Sequence, residues 1–328
     1  MSKRDEQVNE LRKIWGAFRA SRVLLTANNF RIFDYLIKPQ SSQTISKKLN
    51  IDLRATEILL DALTGLGLIK KQRGRYKNTQ IASQFLVSGK PYYQGDIIRH
   101  ADNLWKNWSG LDEVVKTGKP HRVARDLESF ILGMHNLASL IVKDVIKIIG
   151  VKEVKTALDL GGGPGTYSIE LAKKGVNVTL FDFPETIEIA KGVVEKEKIK
   201  GINFIQGDFV TDDIGKGYDL IFISQIFHAY SAKDNLQILK KCKKALNNGG
   251  RIVIQEFYIS KDRTHPVQSA LFSVNMLIGT EGGRCYSPEE IKSWFLKTGL
   301  KGIKEQHFDD KVLVSGVFNS SYQERKVL

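Results

Sequence analysis

The sequence predicts an α/β fold in which a largely parallel sheet follows a mostly helical N-terminal part. From residue 155 onward, apolar stretches of strand length alternate with stretches of helical periodicity, the pattern of parallel strands joined by crossover helices. The last two predicted strands are separated only by Asp309-Asp310, a spacing that suits an antiparallel hairpin. The predicted strands are 156–160, 177–181, 202–205, 218–224, 251–256, 302–308 and 311–318.

The N-terminal part predicts a winged helix that follows two amphipathic helices. Large apolar side chains recur at helical spacing over residues 5–37. Residues 43–49 predict a short helix that Asn50 ends, and residues 53–63 predict the second helix of a helix-turn-helix. Residues 68–78 alternate around a glycine, which is typical of a β-hairpin wing.

Between the winged helix and the sheet, the pattern stays helical and ends in a long helix from about Asp126 to Ile149. We therefore expect three parts. They are the N-terminal helices and winged helix (1–90), a helical linker (91–150) and the sheet domain (151–328).

The composition is that of a globular protein, with 42% hydrophobic and 26% charged residues among 328. No uninterrupted apolar run reaches the ~18–20 residues of a membrane span, and the N-terminus carries no secretory apolar segment. The two cysteines, Cys242 and Cys285, lack the spacing of a zinc site. We expect no bound metal, no disulfide, no membrane partner and a cytoplasmic location.

The net charge of +14 raises the question of a nucleic-acid partner. About +10 of it falls within residues 1–90, and the rest of the chain is close to balanced. We interpret this excess as solvated helix faces, and expect nucleic acid not to be a partner.

A glycine-rich turn follows the first predicted strand of the sheet, in the run Asp159-Leu-Gly-Gly-Gly-Pro-Gly165. Glycines allow a sharp turn and let a ligand approach the backbone. A helix begins near Thr166, and its N-terminus offers free N–H donors to an anionic group. The turn therefore predicts a nucleotide-type cofactor.

Three further positions restrict which nucleotide-type cofactor fits this site. Asp182 ends the second strand about 21 residues after Gly161, a suitable distance for binding ribose hydroxyls. Gly207-Asp-Phe209 ends the third strand, where a carboxylate and an aromatic ring suit an adenine, and Asp159 can face an ammonium group. NAD(P) is the main rival, but the glycine run lacks GxGxxG spacing and contains a proline.

Taken in order, these motifs resemble the S-adenosylmethionine-dependent small-molecule O-methyltransferases, which include caffeate-type, antibiotic and carotenoid enzymes. The resemblance covers nearly the whole chain and implies a class I methyltransferase, Rossmann-like sheet with a winged-helix dimerisation domain. It also implies a cytoplasmic homodimer and a small-molecule acceptor. The motifs are Leu158–Gly165, Phe181–Pro184, Gly207–Phe209, Ile226–Ser231, Gly249–Ile252, Glu256 and Gly282–Arg284.

The resemblance assigns roles to particular residues. His228 matches the family's general base, and Glu256 matches a carboxylate that orients it. The residues implied for S-adenosylmethionine are Asp159, Gly161, Gly163, Asp182, Asp208, Phe209 and Ser224. Those implied for the acceptor are Trp108, Met134, Met276 and Thr280.

A physical argument for His228 stands beside the resemblance. The residue follows an apolar strand and so lies past the carboxyl edge of the sheet, where α/β proteins bind ligands. Imidazole accepts protons near neutral pH, and a phenol must lose one as it is methylated. We therefore predict that His228 is the general base.

Some residues depart from the family pattern and keep the choice of acceptor open. Ala229-Tyr230 replaces the family's Asp-Trp, Ser224 replaces a lysine, and Cys285 stands where a second carboxylate is expected, with Glu281 nearby. Methylation of carbon on a large ring such as a tetrapyrrole is therefore an alternative.

A winged-helix DNA-binding regulator is the other alternative, because the predicted wing, residues 70–77, is basic. The predicted recognition helix argues against it. That helix carries only Arg54 as a cation, opposed by Glu57 and Asp61. We expect an enzyme.

Overall fold

The computed structural model describes residues 2–319, which form two compact units. The first unit ends at Asn103 and the second begins at Leu104, so the boundary falls inside one helix. Each unit is described by itself.

The first unit combines helices with a small antiparallel sheet of order β1-β3-β2. The predicted helix-turn-helix and hairpin are both present, and Asn50 ends its helix in the left-handed conformation. The two-residue strand β1 was not predicted. The elements are α1 (Lys3–Gly16), α2 (Phe18–Asn29), α3 (Ile32–Tyr35), β1 (Gln40–Ser41), α4 (Ser42–Leu49), α5 (Leu53–Gly65), β2 (Ile69–Gln72), β3 (Arg75–Asn78), α6 (Gln80–Phe85) and the start of α7 (Gly95–Trp108).

Helix α1 differs from the other helices of the first unit because it buries none of its residues. Its apolar side chains Leu11, Ile14 and Trp15 are exposed, whereas the core of the unit is built from α2 to α6.

The second unit contains a seven-stranded sheet of order β6-β5-β4-β7-β8-β10-β9. Strands β4 to β8 are parallel, and β10 runs antiparallel to both β8 and β9. The elements after α7 are α8 (Leu111–Thr117), α9 (Leu127–Ile149), β4 (Thr156–Leu160), α10 (Thr166–Lys173), β5 (Asn177–Asp182), α11 (Pro184–Lys196), β6 (Ile202–Gln206), β7 (Tyr218–Ser224), α12 (Ala232–Ala245), β8 (Leu246–Phe257), α13 (Val267–Gly279), α14 (Pro288–Thr298), β9 (Lys301–Phe308) and β10 (Lys311–Val317).

The seven predicted strands and the terminal hairpin are confirmed. Strand β8 begins five residues before the predicted start at Arg251, because Leu246 pairs with Tyr218 across a register shift in β7. Alternate strand residues face two apolar clusters. Leu158 and Ile221 belong to the cluster on one side of the sheet, and Ala157 and Leu220 to the cluster on the other. A parallel sheet covered on both faces leaves its carboxyl edge for ligands.

Helix α9 is long and apolar enough to cross a membrane by length and composition alone. The sequence predicted this helix but not a membrane-spanning segment, because polar residues interrupt its apolar runs. Its residues Val142, Val145 and Ile146 are buried in a core cluster with sheet residues Ala157 and Leu220. We interpret α9 as a core helix, a kind of helix that passes the same test.

Candidate active site

The glycine-rich turn between β4 and α10 is held by the neighbouring strand. The N–H groups of Gly161 and Gly162 both donate to the carbonyl of Phe181. Gly161 and Gly163 have left-handed backbones, with φ of 68° and 53°. A Cβ on Gly161 would lie 2.5 Å from the Ile226 side chain, whereas the space beside Gly163 is open. The turn thus requires glycine for two different reasons, its backbone conformation and its close packing.

Asp182 ends β5 and fixes the same turn. One carboxylate oxygen, Oδ2, accepts the N–H of Gly163 at 2.8 Å, and Oδ1 accepts the N–H of Phe183 at 2.8 Å. Burial raises the pKa of Asp182 although these bonds favour the carboxylate. The carboxylate predicted to bind ribose therefore also shapes the turn beneath it.

Asp159 is a buried carboxylate directly before the glycines. Its Oδ2 accepts the hydroxyl of Ser168 at 2.6 Å. Burial raises its pKa to about 6. A buried carboxylate without a cation is unfavourable, so a positively charged group beside Asp159 would stabilise its ionised form.

The loop after β6 carries Asp208 and Phe209. The Asp208 Oδ1 accepts the N–H of Val210 at 2.8 Å, so this carboxylate shapes its own turn. Phe209 is only 3% exposed, and its ring packs edge-on against Phe181 and Tyr230 with centroids 6.4 and 5.6 Å away. The ring of Phe209 is thus part of the core below the loop rather than an open face.

Two polar residues at the strand ends, Gln225 and Gln255, were not singled out from the sequence. Gln225 has a left-handed backbone, with φ of 59°, and within residues 2–319 both of its side-chain amide atoms are buried without a hydrogen-bond partner. Gln255 is fully buried, and its Nε2 donates to the Tyr167 hydroxyl at 3.2 Å while its Oε1 has no partner in the described part of the chain. Ser224 also interacts with this hydroxyl. The signal in the sequence was a pair of polar residues ending each of two apolar strands.

These features together fit a polar cofactor at the carboxyl edge of the sheet. The turn is open beside Gly163, and Asp159 is a buried carboxylate. Within residues 2–319, both side-chain amide atoms of Gln225 and the Oε1 of Gln255 have no hydrogen-bond partner. Buried polar atoms in a native protein are normally hydrogen-bonded, so atoms without a protein partner at a strand end are available to a bound ligand or water. No cluster of three or more His, Cys, Asp or Glu side chains suited to a metal occurs within residues 2–319.

His228 and Glu256 form a buried pair at the ends of the neighbouring strands β7 and β8. The imidazole Nδ1 lies 2.7 Å from Glu256 Oε2. The other carboxylate oxygen, Oε1, accepts the backbone N–H groups of Phe227 at 2.7 Å and His228 at 3.3 Å. Glu256 therefore fixes both the ring of His228 and the turn that carries it. A carboxylate at Nδ1 leaves Nε2 as the unprotonated nitrogen of the neutral ring.

The segment between α13 and α14 also packs against the turn that carries His228. The Tyr286 hydroxyl donates to the carbonyl of Tyr230 at 2.7 Å. A Cβ on Gly283 would lie 2.3 Å from the carbonyl oxygen of His228, so this approach requires glycine. The Gly282-Gly-Arg284 motif thus packs against the backbone of the turn that carries His228.

Helix α13 supplies apolar surface next to His228. The ring of Phe272 meets the imidazole edge-on at 4.9 Å, and Phe257 packs on Phe272 at 4.6 Å. Asn275, on the same helix, accepts the indole N–H of Trp108 at 2.9 Å. The imidazole is therefore bordered by aromatic side chains, which suits a flat apolar acceptor.

The other predicted acceptor residues lie on or near α9 and α13. Met276 is largely buried on α13. The Thr280 hydroxyl donates to the Met276 carbonyl at 2.7 Å and accepts the N–H of Gly283 at 2.9 Å, so it caps the helix. Met134 lies on α9 next to His135, whose Nδ1 is 2.8 Å from the Thr166 hydroxyl at the start of α10.

Cys285, at the position of the family's second carboxylate, carries no negative charge of its own at neutral pH. It is buried, and burial raises the pKa of its thiol to about 11, so the thiol is neutral at physiological pH. Glu281 is exposed. The carboxylate that contacts His228 is that of Glu256.

Comparison with known proteins identifies the family of the chain. Residues 92–301 match the model of an O-methyltransferase domain, and residues 13–88 match an O-methyltransferase dimerisation domain. The chain is 31% identical to 3-hydroxy-5-methyl-1-naphthoate 3-O-methyltransferase from Streptomyces sahachiroi, over 80% of each protein. It is 29% identical to chicken (Gallus gallus) acetylserotonin O-methyltransferase, over 81% of this chain and 84% of the relative.

A solved structure of similar fold is human N-acetylserotonin methyltransferase in complex with S-adenosylmethionine. It has a TM-score of 0.89 and 22% identity, and the match covers 98% of this chain and all of the other. The predicted fold class, the enzymatic function and the choice of S-adenosylmethionine over NAD(P) are confirmed. The chain belongs to the S-adenosylmethionine-dependent O-methyltransferase family, with a dimerisation domain of that family at its N-terminus.

Proposed function

We propose that this enzyme methylates a phenolic hydroxyl of an aromatic or polyketide-like small molecule, with His228 as the general base. The buried His228–Glu256 pair, with Phe272 at the edge of the imidazole, carries this proposal. Two relatives support the acceptor class by their names. One is the naphthoate 3-O-methyltransferase, and the other is a tetracenomycin polyketide 8-O-methyltransferase from Streptomyces glaucescens, 27% identical over 88% of this chain.

The chemistry follows from the tautomer that Glu256 selects. S-adenosylmethionine supplies an electrophilic methyl group when it is bound. Glu256 accepts the Nδ1–H of His228, which leaves Nε2 to take the proton of the acceptor hydroxyl. A phenol has a pKa near 10, so without a base little phenolate is present at neutral pH. A positioned base is typically worth about 10²–10⁴-fold in rate.

The cofactor residues are proposed from the strand-end geometry. Gly161 and Gly163 would bring backbone close to the methionine part, and Asp159 would lie beside its ammonium group. Asp182 would bind the ribose, and Ser224 would border the methionine part with Tyr167. Asp208 and Phe209 would form the adenine side through their loop.

The acceptor residues are proposed from their link to α13. Met276 would line the cavity, and Trp108, oriented by Asn275, would offer a ring face rather than its N–H. Thr280 would act by fixing the end of α13, since its hydroxyl both donates one hydrogen bond and accepts another within the protein. Met134 would approach from α9, within the proposed linker 91–150, which lies between the proposed N-terminal domain 1–90 and catalytic domain 151–328.

A transfer assay tests this function. The enzyme is incubated with methyl-labelled S-adenosylmethionine and a panel of mono- and bicyclic phenols, naphthols and their methyl ethers. We expect labelled methyl ethers from the free phenols and none from the ethers. A label attached to ring carbon would favour the C-methyltransferase alternative, and no transfer to any phenol would contradict the proposal.

We also propose a cytoplasmic homodimer assembled through the N-terminal unit. The exposed apolar side chains Leu11, Ile14 and Trp15 of α1 support an interface, since single soluble domains rarely leave such a group uncovered.

A further inference from the structure

The loop after β6, residues 207–213, is a compact turn stabilised from inside. The N–H of Asp208 donates to Asp212 Oδ2 at 2.8 Å, and the N–H of Asp212 donates back to the Asp208 carbonyl at 2.7 Å. The N–H of Val210 donates to Asp208 Oδ1. A Cβ on Gly207 would lie 2.8 Å from Asp212 Oδ2, so the turn leaves no room there.

Besides these internal hydrogen bonds, three backbone carbonyl groups of the loop accept hydrogen bonds from helix α12. Lys241 on that helix is half-buried, and its Nζ donates to the carbonyls of Phe209 at 2.9 Å, Val210 at 2.8 Å and Asp212 at 2.8 Å. An ammonium has three N–H groups, and all three are directed at one turn. Bonds from a charged donor are shorter and stronger than neutral ones.

We propose that Lys241 is a positioning residue that holds the adenine-side loop in its ligand-binding conformation. The inference rests on the proposed assignment of Asp208 and Phe209 to the adenine of S-adenosylmethionine. Lys241 acts through the loop backbone and does not itself contact the cofactor.

The position of Phe209 explains why the loop conformation matters. Its carbonyl is one of the three that Lys241 binds, and its ring packs between Phe181 and Tyr230. A loop fixed before binding loses less conformational freedom when the ligand arrives. Removing the ammonium should therefore weaken cofactor binding, whereas the methyl-transfer step at His228 should be preserved.

The test uses the full chain and compares Lys241→Met with Lys240→Met. Methionine keeps an apolar stem but has no donor, and Lys240 is exposed on the same helix. Binding of S-adenosylhomocysteine is measured by titration calorimetry. We expect Kd to rise on the order of tenfold in Lys241→Met, the effect of losing one strong interaction. The KM for S-adenosylmethionine should rise similarly with kcat within about twofold, and Lys240→Met should match the unsubstituted enzyme.

Hydrogen exchange distinguishes positioning from a general structural role. In Lys241→Met, amides in the peptide covering 207–213 should exchange faster and the rest of the sheet should be unchanged. Lys241→Arg, which keeps charged donors, should recover part of the affinity.

Two results would overturn the proposal in different ways. Binding of S-adenosylhomocysteine by Lys241→Met as tight as in the unsubstituted enzyme, or exchange that rises throughout the domain, would show that Lys241 does not position this loop. Failure of the unsubstituted enzyme to bind S-adenosylhomocysteine would remove the premise itself, and it would be seen before any variant is measured.

Discussion

Replacing Glu256 by glutamine should remove most of the turnover while leaving the fold and cofactor binding intact. In the enzyme, Oε1 of Glu256 accepts the backbone N–H groups of Phe227 and His228, and Oε2 faces the imidazole Nδ1 at 2.7 Å. Glutamine keeps one carbonyl oxygen for the two backbone donors and turns its NH₂ group toward Nδ1.

An amide NH₂ cannot accept a hydrogen bond, so Nδ1 of His228 must become the acceptor. The imidazole proton then resides on Nε2, the atom that has to receive the proton of the acceptor hydroxyl. The base would be present but in the wrong tautomer. Since general-base catalysis contributes about 10²–10⁴-fold, kcat should fall by that factor, about 3–5 kcal/mol in activation free energy.

Glu256→Ala is the matched comparison, because it also removes the acceptor of two backbone N–H groups at a buried turn. Each unsatisfied donor costs roughly 1–3 kcal/mol of folding free energy, so Glu256→Ala should lose thermal stability that Glu256→Gln retains. The assay combines kcat with a phenol, calorimetric binding of S-adenosylhomocysteine and thermal unfolding. A Glu256→Gln enzyme that folds, binds the ligand and keeps kcat within about threefold would refute the tautomer argument.

Three further predictions concern the cofactor turn, the His228 turn and assembly. Burial raises the pKa of Asp159 from 3.8 to about 6, so the folded protein binds this proton more tightly than the unfolded chain does. The resulting gain in unfolding free energy is complete below about pH 4 and is lost as the pH rises through about 6. Asp159→Asn should raise the pH 7 unfolding free energy of the cofactor-free protein by up to about 3 kcal/mol, and a flat difference between pH 4 and 7 in chemical denaturation would contradict this. Gly283→Ala should lower kcat at least about tenfold, because its Cβ would displace the His228 carbonyl, whereas Gly279→Ala, with nothing within 4 Å of its Cβ, should stay near normal in the same assay. Light scattering should give the mass of a dimer. The Ile14→Glu variant should give a lower mass, because Ile14 is exposed on α1. A monomeric mass for the unsubstituted protein would exclude this assembly.

Local periodicity predicted nearly all of the sheet, because parallel strands covered on both faces are short apolar runs that turn residues bound sharply. Strand β8 was predicted too short because, apart from Leu246, residues 246–250 are polar or glycine. Leu246 pairs with Tyr218 of β7, and Gly249 and Gly250 exchange backbone hydrogen bonds with Phe318, just after β10. The two-residue β1 exists for the same reason, since it pairs with β3 across a helix-turn-helix. Pairing of this kind is tertiary and leaves no local pattern.

The candidate site likewise contains residues that a local sequence pattern indicates and others that only tertiary contacts reveal. His228 could be predicted because it follows an apolar strand, whereas Glu256, near the end of the neighbouring strand β8, was predicted through the family resemblance. The unsatisfied amide of Gln225, the burial of Phe209 and the three bonds of Lys241 depend on which groups meet in space. Ser224 shows the limit clearly. The sequence marked it as a replaced lysine, whereas its grouping with Tyr167 and Gln255 required the structure.

The most direct test of His228 as the general base is single-turnover methyl transfer by the His228→Gln enzyme. The assay uses labelled S-adenosylmethionine and a phenol that the unsubstituted enzyme methylates. We predict an unchanged Kd for S-adenosylhomocysteine and a transfer rate at neutral pH that is reduced about 10²–10⁴-fold. The loss should shrink as the pH approaches the phenol's own pKa near 10, because the phenol then ionises without a base. A His228→Gln enzyme that transfers the methyl group to oxygen at the rate of the unsubstituted enzyme would contradict this role of His228.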